Sequence, residues 1–478
     1  MSKVIAEPEI SIDELKQRDE KRNGITVNLL TQYQFITTPD KTVWVYEGGI
    51  YKPVGEQIIH IEVVKAMGIE YLESDTTNVI ARVQAKTFMT WEDFNKGSED
   101  FICLENGVLD LRYWTDCEFK ARADSSAGFE VLHDLGFGIH IVKLPFKYNP
   151  KAEYPTIKKF FNEVLKSQED IDAMIEWFAY HLIKSQPYQK ASIWIGVGSN
   201  GKTVMANLLR AFLGKDNYTN LTLEQICNNR FASSGLFGKL ASIGSEMSGS
   251  RLKDTEMFKK IVGGESINAE RKFKDSFDFF PDVKLTFYGN KTPSLRSQDD
   301  CYAYFRRFIS FEFPNIFEGD KKDEHLIEKL TTPEELSGLL NWVLEGLSRL
   351  IKNRKFSNEK PWEEIRTEYL VHSDIERAFI DAEIESQEDD VEIWVTTEEC
   401  YQAYKEFCKK HDKQANSKNL LSIRIQESTN ATIKFKHDDK TVRIYSGIRL
   451  KNKPVNQEPV ETKPIEDSTL DSYGEDSK

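Results

Sequence analysis

Eight residues, Gly196-Val197-Gly198-Ser199-Asn200-Gly201-Lys202-Thr203, constrain the fold of this chain more than any other stretch. The preceding run Ala191-Ser192-Ile193-Trp194-Ile195 is short, apolar and of strand character. The following Val204 to Leu213 carries apolar residues at helical spacing and stops at Gly214. A strand, a glycine-rich turn and a helix start together aim several backbone N–H groups and the positive helix end at one spot, which suits phosphate. In that pattern Lys202 reaches the β- and γ-phosphates and the Thr203 hydroxyl serves Mg²⁺. The ligand to expect is therefore ATP or a relative. Residues 185–315 go on to alternate strand-like and helix-like segments, as a parallel sheet covered by helices demands.

The rest of the chain bounds the setting. With 478 residues, about two to four domains are expected, and 39% hydrophobic with 12% aromatic content supplies their cores. No apolar run approaches the ~18 residues of a membrane span, and Met1-Ser2-Lys3-Val4 lacks a signal-peptide layout. A cytoplasmic protein without membrane association is the expectation. The six cysteines form no Cys-x-x-Cys pair and the eight histidines are dispersed, so no zinc site or disulfide framework is predicted. A net charge of −14 argues against wholesale adhesion to nucleic acid. The charge is uneven, however: nine acidic residues against Arg377 alone between Ser373 and Glu392, then nine basic against three acidic from Lys413 to Lys451. A basic module inside an acidic chain has the look of a nucleic-acid contact.

These patterns predict a multidomain α/β protein. Residues 1–24 read as a charged arm, and 25–150 as an α+β domain with a hairpin around Gly48-Gly49. Residues 151–355 read as the ATPase domain with a helical lead-in; near its end Thr332, Pro333 and Glu335 start a long helix with a capping box. An acidic connector is expected over 356–392. Over 393–450, two helices and then a basic two-stranded ribbon carrying Lys434, Lys436 and Arg443 give the order of a winged helix. The Pro-, Glu- and Lys-rich 451–478 should be disordered.

Four further segments say what the nucleotide is for. Leu240 to Glu246 is an apolar strand ending in a carboxylate, the layout of a group that orients water or supports Mg²⁺. Phe258 to Glu265 and then Asn268 to Lys274 suggest a turn and a basic hairpin with Lys272 and Lys274. Val283 to Asn290 is a strand with an amide at its end, and Arg306-Arg307 precede the β-rich run from Phe308 to Phe313. A guanidinium suits γ-phosphate charge because it is planar, always charged and bidentate.

The ordered set Gly-x-x-x-Asn-Gly-Lys-Thr, Ser-Glu, Lys-x-x-x-Gly-Gly-Glu, Gly-Asn-x-x-Pro and Arg-Arg-Phe resembles the superfamily 3 helicases, above all the phage/plasmid and poxvirus primase-helicase family. Tyr46-Glu47-Gly48-Gly49-Ile50-Tyr51 and Asn106-Gly107-Val108-Leu109-Asp110 upstream, and Tyr401 and Tyr404 downstream, extend the likeness over roughly 25–450. The resemblance implies an AAA+-like P-loop core and a C-terminal winged helix. It also implies a homo-oligomeric ring, most simply a hexamer, travelling 3′ to 5′ on single-stranded or forked DNA. Lys202 and Thr203 would serve phosphate and Mg²⁺, Glu246 would polarise water and Asn290 would sense the γ-phosphate. Arg307, with Arg306 as its neighbouring candidate, would be the finger offered to the next subunit, and Lys272 and Lys274 would touch DNA.

Two departures stand out. Ser245 occupies the place where related ATPases carry Asp, so Mg²⁺ would rest on Thr203, phosphates and water. Only about 25 residues precede the hairpin, too few for a polymerising domain, so priming would fall to a separate primase. An origin-melting initiator and a DNA-bound ATPase switch remain open on the same motifs.

Overall fold

The computed structural model describes residues 12–96, 100–112, 129–130, 138–196, 198–245, 252, 254–270, 276–295, 302–319, 323–386, 391–437, 441–451 and 456–459. The chain is a multidomain α/β protein whose contacts divide it into two compact units, Met1–Ile365 and Arg366–Lys478.

Helix α1 (Ile12–Gln32) opens the described chain, where an arm was expected over 1–24. Its Arg18 and Arg22 reach a fully buried carboxylate, Asp75, with Nε–Oδ1 distances of 2.7 and 2.8 Å. Burial alone would raise the Asp75 pKa, but hydrogen bonds from Arg18, the Leu72 N–H and Arg22 outweigh it and hold the carboxyl well below its ordinary range. The basic residues that made the segment look like a solvated arm are thus what dock it. Strands β1 (Phe35–Thr37), β2 (Val43–Glu47) and β3 (Ile50–Lys52) form an antiparallel sheet. The β2–β3 turn runs through Gly48 and Gly49 at φ 62° and 95°, conformations that favour glycine. Helices α2 (Gly55–Met67) and α3 (Glu73–Lys86) close a core of Leu29, Val43, Val45, Ile59, Val63, Val79 and Val83. The short α4 (Trp91–Asn95) precedes a second antiparallel sheet of β4 (Phe101–Leu104), β5 (Gly107–Asp110) and β6 (Phe129–Glu130).

Two helices lead into the centre. Helix α5 (Pro155–Val164) buries Ile157, Phe160, Phe161 and Val164, as its spacing predicts, and α6 (Gln168–Tyr180) is buried almost all round. Then come β7 (Ala191–Ile195), α7 (Lys202–Leu213), β8 (Tyr218–Thr219) and β9 (Ala241–Ser245). Helix α8 (Glu256–Gly263), β10 (Ile267–Ala269), β11 (Phe277–Phe279), β12 (Lys284–Gly289), β13 (Phe308–Glu312) and the long α9 (Pro333–Asn353) follow. Five of the strands make one parallel sheet in the order β13-β7-β12-β9-β8. Every residue of β7 is buried, which is why it reads as a mostly apolar run, with Ser192 bonded to Trp194, instead of an alternating one.

Two buried charges lock this layer. Thr332 caps α9 by accepting from the Glu335 N–H, but the Glu335 carboxylate does not return the bond. It accepts instead from the N–H groups of Thr156 and Ile157, both at 3.0 Å, and so caps α5 from 178 residues away. The expected capping box is therefore shared between two helices, because α5 offers unpaired N–H groups beside α9. Lys284 in β12 is fully buried, and its ammonium donates to the carbonyls of Ile183, Ser185 and Asp282, each at 2.8 Å. Burial pushes its pKa down to about 7.

The second unit holds most of α10 (Trp362–Ser373), then α11 (Ile375–Glu383), β14 (Ile384–Ser386), β15 (Val391–Thr396), α12 (Thr397–Lys410) and α13 (Lys418–Ser428). Strands β16 (Thr432–His437), β17 (Thr441–Ser446), β18 (Ile448–Leu450) and β19 (Asn456–Pro459) complete it. Its antiparallel sheet runs β16-β17-β15-β19, with β14 and β18 paired separately. Two sequence expectations change here. The acidic connector over 356–392 is largely helical, because Ala378 and Phe379 sit in the core with Tyr404, Phe407, Leu421 and Tyr445, and even Glu376 is buried, accepting from the Tyr404 hydroxyl at 3.1 Å. The tail expected to be disordered over 451–478 supplies β19, which pairs Asn456–Pro459 with Val391–Trp394; residues 460–478 lie outside the described residues. Among the described residues no helix is long and apolar enough to cross a membrane.

Candidate nucleotide-binding site

The register of the parallel sheet assembles the site. Ile195, the last residue of β7, lies beside Gly289 at the end of β12, and Tyr288 lies beside Ser245 at the end of β9. The glycine-rich loop and Asn290 therefore leave the sheet at one edge, the carboxyl end, where β9 also ends and where open α/β sheets hold ligands. Val197, Glu246, Lys272 and Lys274 lie outside the described residues.

Close packing shapes the loop. A Cβ at Gly196 would sit 2.8 Å from the Phe313 carbonyl oxygen, and one at Gly201, where φ is +88°, would sit 2.7 Å from Val164. Ser199 holds φ 58° without being glycine, a strained conformation of the kind found at ligand clamps. Two bonds from the chain after β13 secure it: Asn200 Nδ2 donates to the Phe313 carbonyl at 3.0 Å, and the Phe317 N–H donates to the Ser199 carbonyl at 2.7 Å. Asn200 is thus buried as a strut of the loop.

Lys202 opens α7. Its ammonium folds back onto the Gly196 carbonyl and Asn200 Oδ1, each at 2.8 Å. Only 5% of the residue is exposed, and burial pushes its pKa down to about 8. For folding, an ammonium held below its ordinary value costs stability at pH under about 8, and that cost fades as pH rises toward 10.5. For binding, phosphate oxygens beside the amine restore the charged form. At pH 8.5, ADP binding is accordingly expected to take up more than roughly half a proton at this site, and far less at pH 7. Calorimetric titration in two buffers of different ionisation enthalpy reads this directly, and equal apparent enthalpies at pH 8.5 would contradict it.

A cavity of about 1080 Å³ opens over the loop. Gly198 to Thr203 form its floor with Gly289 and Asn290, and Phe160, Val164, Phe317 and Leu326 give it apolar walls. Lys159, Glu163, Lys291, Asp323 and Lys329 line it as charges, with Lys329 bonded to Asp323 at 2.6 Å. Thr203 and Asn290 are exposed within it. An apolar slot beside an anion-binding loop matches the two ends of a nucleotide. The motif reading missed the walls, because α5 and the chain after β13 carry no phosphate-loop pattern; the amphipathic stripe of α5 was their single sequence signal.

Arg306 and Arg307 are not part of this assembly. Phe308 pairs with Ala191, so both arginines lie at the amino end of β13, one strand length or about 16 Å from the loop edge. Arg307 is buried, and its guanidinium donates to the Ala303 carbonyl. Arg306 is half-buried, bonded to Gln189 Oε1 at 3.1 Å and lying over the Tyr302 ring. In the second unit Lys434 and Lys436 share one face of the ribbon, opposite Ile444 and Val442, whereas Arg443 lies opposite Phe435 on the other face. The period-two pleat splits the three basic residues that the sequence grouped.

Residues 194–307 match a family described as one of unknown function (DUF5906). Among solved structures the chain is similar to the C-terminal region of NrS-1. An A-form apo structure of its residues 305–718 matches at TM-score 0.42 and 11% identity, over 89% of this chain and 99% of that one. Another A-form apo structure matches at 0.42 and 12%, over 88% and 98%. A further apo structure matches at 0.43 and 11%, over 89% and 99%.

Proposed function

We propose that this chain is an ATP-driven, ring-forming DNA helicase of the superfamily 3 kind, acting in the replication of a phage, plasmid or other mobile element. One observation carries the reading: the phosphate loop and Asn290 converge on one cavity while the paired arginines lie at the opposite end of the sheet. An arginine that meets γ-phosphate charge must then come from a second copy, which makes a ring the working form.

In that ring Lys202 and the loop amides hold the β- and γ-phosphates, and Thr203 with phosphate oxygens and water holds Mg²⁺. The exposed hydroxyl of Thr203 at the start of α7 fits that task. Glu246, one residue beyond β9, polarises the attacking water, and Asn290 reads the γ-phosphate. Lys272 and Lys274, between β10 and β11, contact single-stranded DNA. The second unit, in the order β15-α12-α13-β16-β17, serves as a winged helix on duplex DNA, with Lys434 and Lys436 on one face of its ribbon.

The test is strand displacement by the full-length chain on forked DNA, with imaging for rings. ATP-dependent displacement from a 3′ tail is expected, and none with a non-hydrolysable analogue. Hydrolysis without displacement on any fork would replace the motor with an ATPase switch; no hydrolysis would remove both.

A further inference from the structure

The strands β10 and β11 are short, yet their base is unusually well held. Phe277 and Phe279 project from the same side of β11, and both rings meet Phe237 edge-on at centroid distances of 5.3 Å. Phe237 lies in the turn just before β9 and also meets Trp91 at 5.3 Å and Trp44 at 6.2 Å. Trp91 stacks on Phe277 at 6.3 Å and 24°, and meets Phe94, which in turn packs on Trp44 at 5.2 Å. Six rings thus join the hairpin base to β2 and α4 of the N-terminal region. Polar bonds add to the grip: Ser233 Oγ donates to the Asn268 carbonyl at 3.1 Å, and Asn268 Nδ2 donates across the hairpin to Asp278 Oδ1 at 2.8 Å.

Two antiparallel strands of three residues do not hold a fixed direction by themselves. Edge-on and offset aromatic pairs supply both area and orientation, so this cluster sets where the hairpin points. We propose, resting on the reading of that hairpin as a nucleic-acid contact, that the N-terminal region is its mount: Trp91 and Phe237 are positioning residues that fix the β10–β11 hairpin for single-stranded DNA. The placement of Phe237 also makes the mount continuous with the start of β9, whose far end leads to Glu246. A shift of the hairpin on DNA therefore has a rigid route toward the hydrolytic edge of the sheet.

The experiment compares Trp91→Ala, Trp91→Phe and Phe237→Leu with Lys272→Ala/Lys274→Ala in the full chain. Hydrogen exchange without DNA reads the mount alone. Amides of 267–270 and 276–279 should exchange roughly tenfold faster in Trp91→Ala and Phe237→Leu, while β7 and β12 stay protected and Trp91→Phe stays near wild type. ATPase titrated with single-stranded DNA reads the consequence. The DNA concentration for half-maximal stimulation should rise about tenfold in the two mount variants, with the KM for ATP and the DNA-free rate unchanged, and Trp91→Phe should restore it. Unchanged hairpin exchange in both variants overturns the mount whatever the DNA result. Faster exchange with unchanged DNA dependence overturns its role on DNA if the double lysine variant is impaired. An unimpaired double lysine variant instead overturns the hairpin reading, and the role on DNA falls with it. Should Trp91→Ala fail to fold, Phe237→Leu, which loses edge contacts only, carries the same outcomes.

Discussion

Lys202→Ala is expected to bring ATP hydrolysis below about 1% of wild type. The ammonium is the one side-chain charge built into the loop, where it is held by the Gly196 carbonyl and Asn200 Oδ1. The fold should tolerate the change. Burial holds that ammonium below its ordinary pKa, so removing it relieves a cost, and the backbone path of the loop is set by Gly201, Asn200 and the chain after β13. Thermal unfolding should therefore shift little while turnover vanishes. Glu246→Gln separates the roles further, since it should bind ATP and leave it intact. Hydrolysis by Lys202→Ala at more than a tenth of the wild-type rate would remove the loop from the chemistry.

The second large effect concerns the paired arginines. Replacing a finger that meets transition-state charge costs on the order of 10³ in turnover and far less in nucleotide affinity. Arg307, favoured in the sequence, is the more buried of the two and is bonded within its own turn, whereas Arg306 is half-exposed. Arg306→Ala is therefore expected to show the 10³-fold loss and to regain activity when mixed with Lys202→Ala subunits, because some interfaces then pair a sound loop with a sound arginine. Recovery with Arg307→Ala instead would return the role to that residue. No recovery with either, in a mixture shown to co-assemble, would end the assignment across subunits.

How much of this was legible beforehand depended on range. The loop, β7 and α7 could be read because strand period, turn glycines and helix spacing all lie within about 25 residues. Asn290 could be placed at a strand end for the same reason. That β12 lies beside β7, which brings Asn290 to the loop, and that β13 runs parallel to β7, which carries Arg306 and Arg307 away from it, follow only from sheet order. Lys284 looked like an ordinary strand residue, because its three carbonyl partners include two about a hundred positions earlier. Glu335 satisfied a local capping pattern and yet spends its carboxylate on a different helix. Trp44, Trp91 and Phe237 carry no motif at all; their meaning is wholly one of contact. Acidic composition misled over 373–392, since charge says nothing about the apolar side of α11 that packs, nor about Glu376, which is buried against Tyr404.

The cap that Glu335 places on α5 bears on how this protein can be cut. A polypeptide confined to 194–307 would keep two residues of β7, lack β13 and lose α5, α6 and α9. Its sheet would lose one edge strand and most of the next, and the face where α7 packs with α5, α6 and α9 would be largely uncovered. A piece able to fold needs α5 through α9 at the least, since the carboxylate that finishes one end of that span belongs to the other. The stretch that matches the family of unknown function is thus a strip cut out of a larger folding unit, and expression fragments drawn to its limits should aggregate.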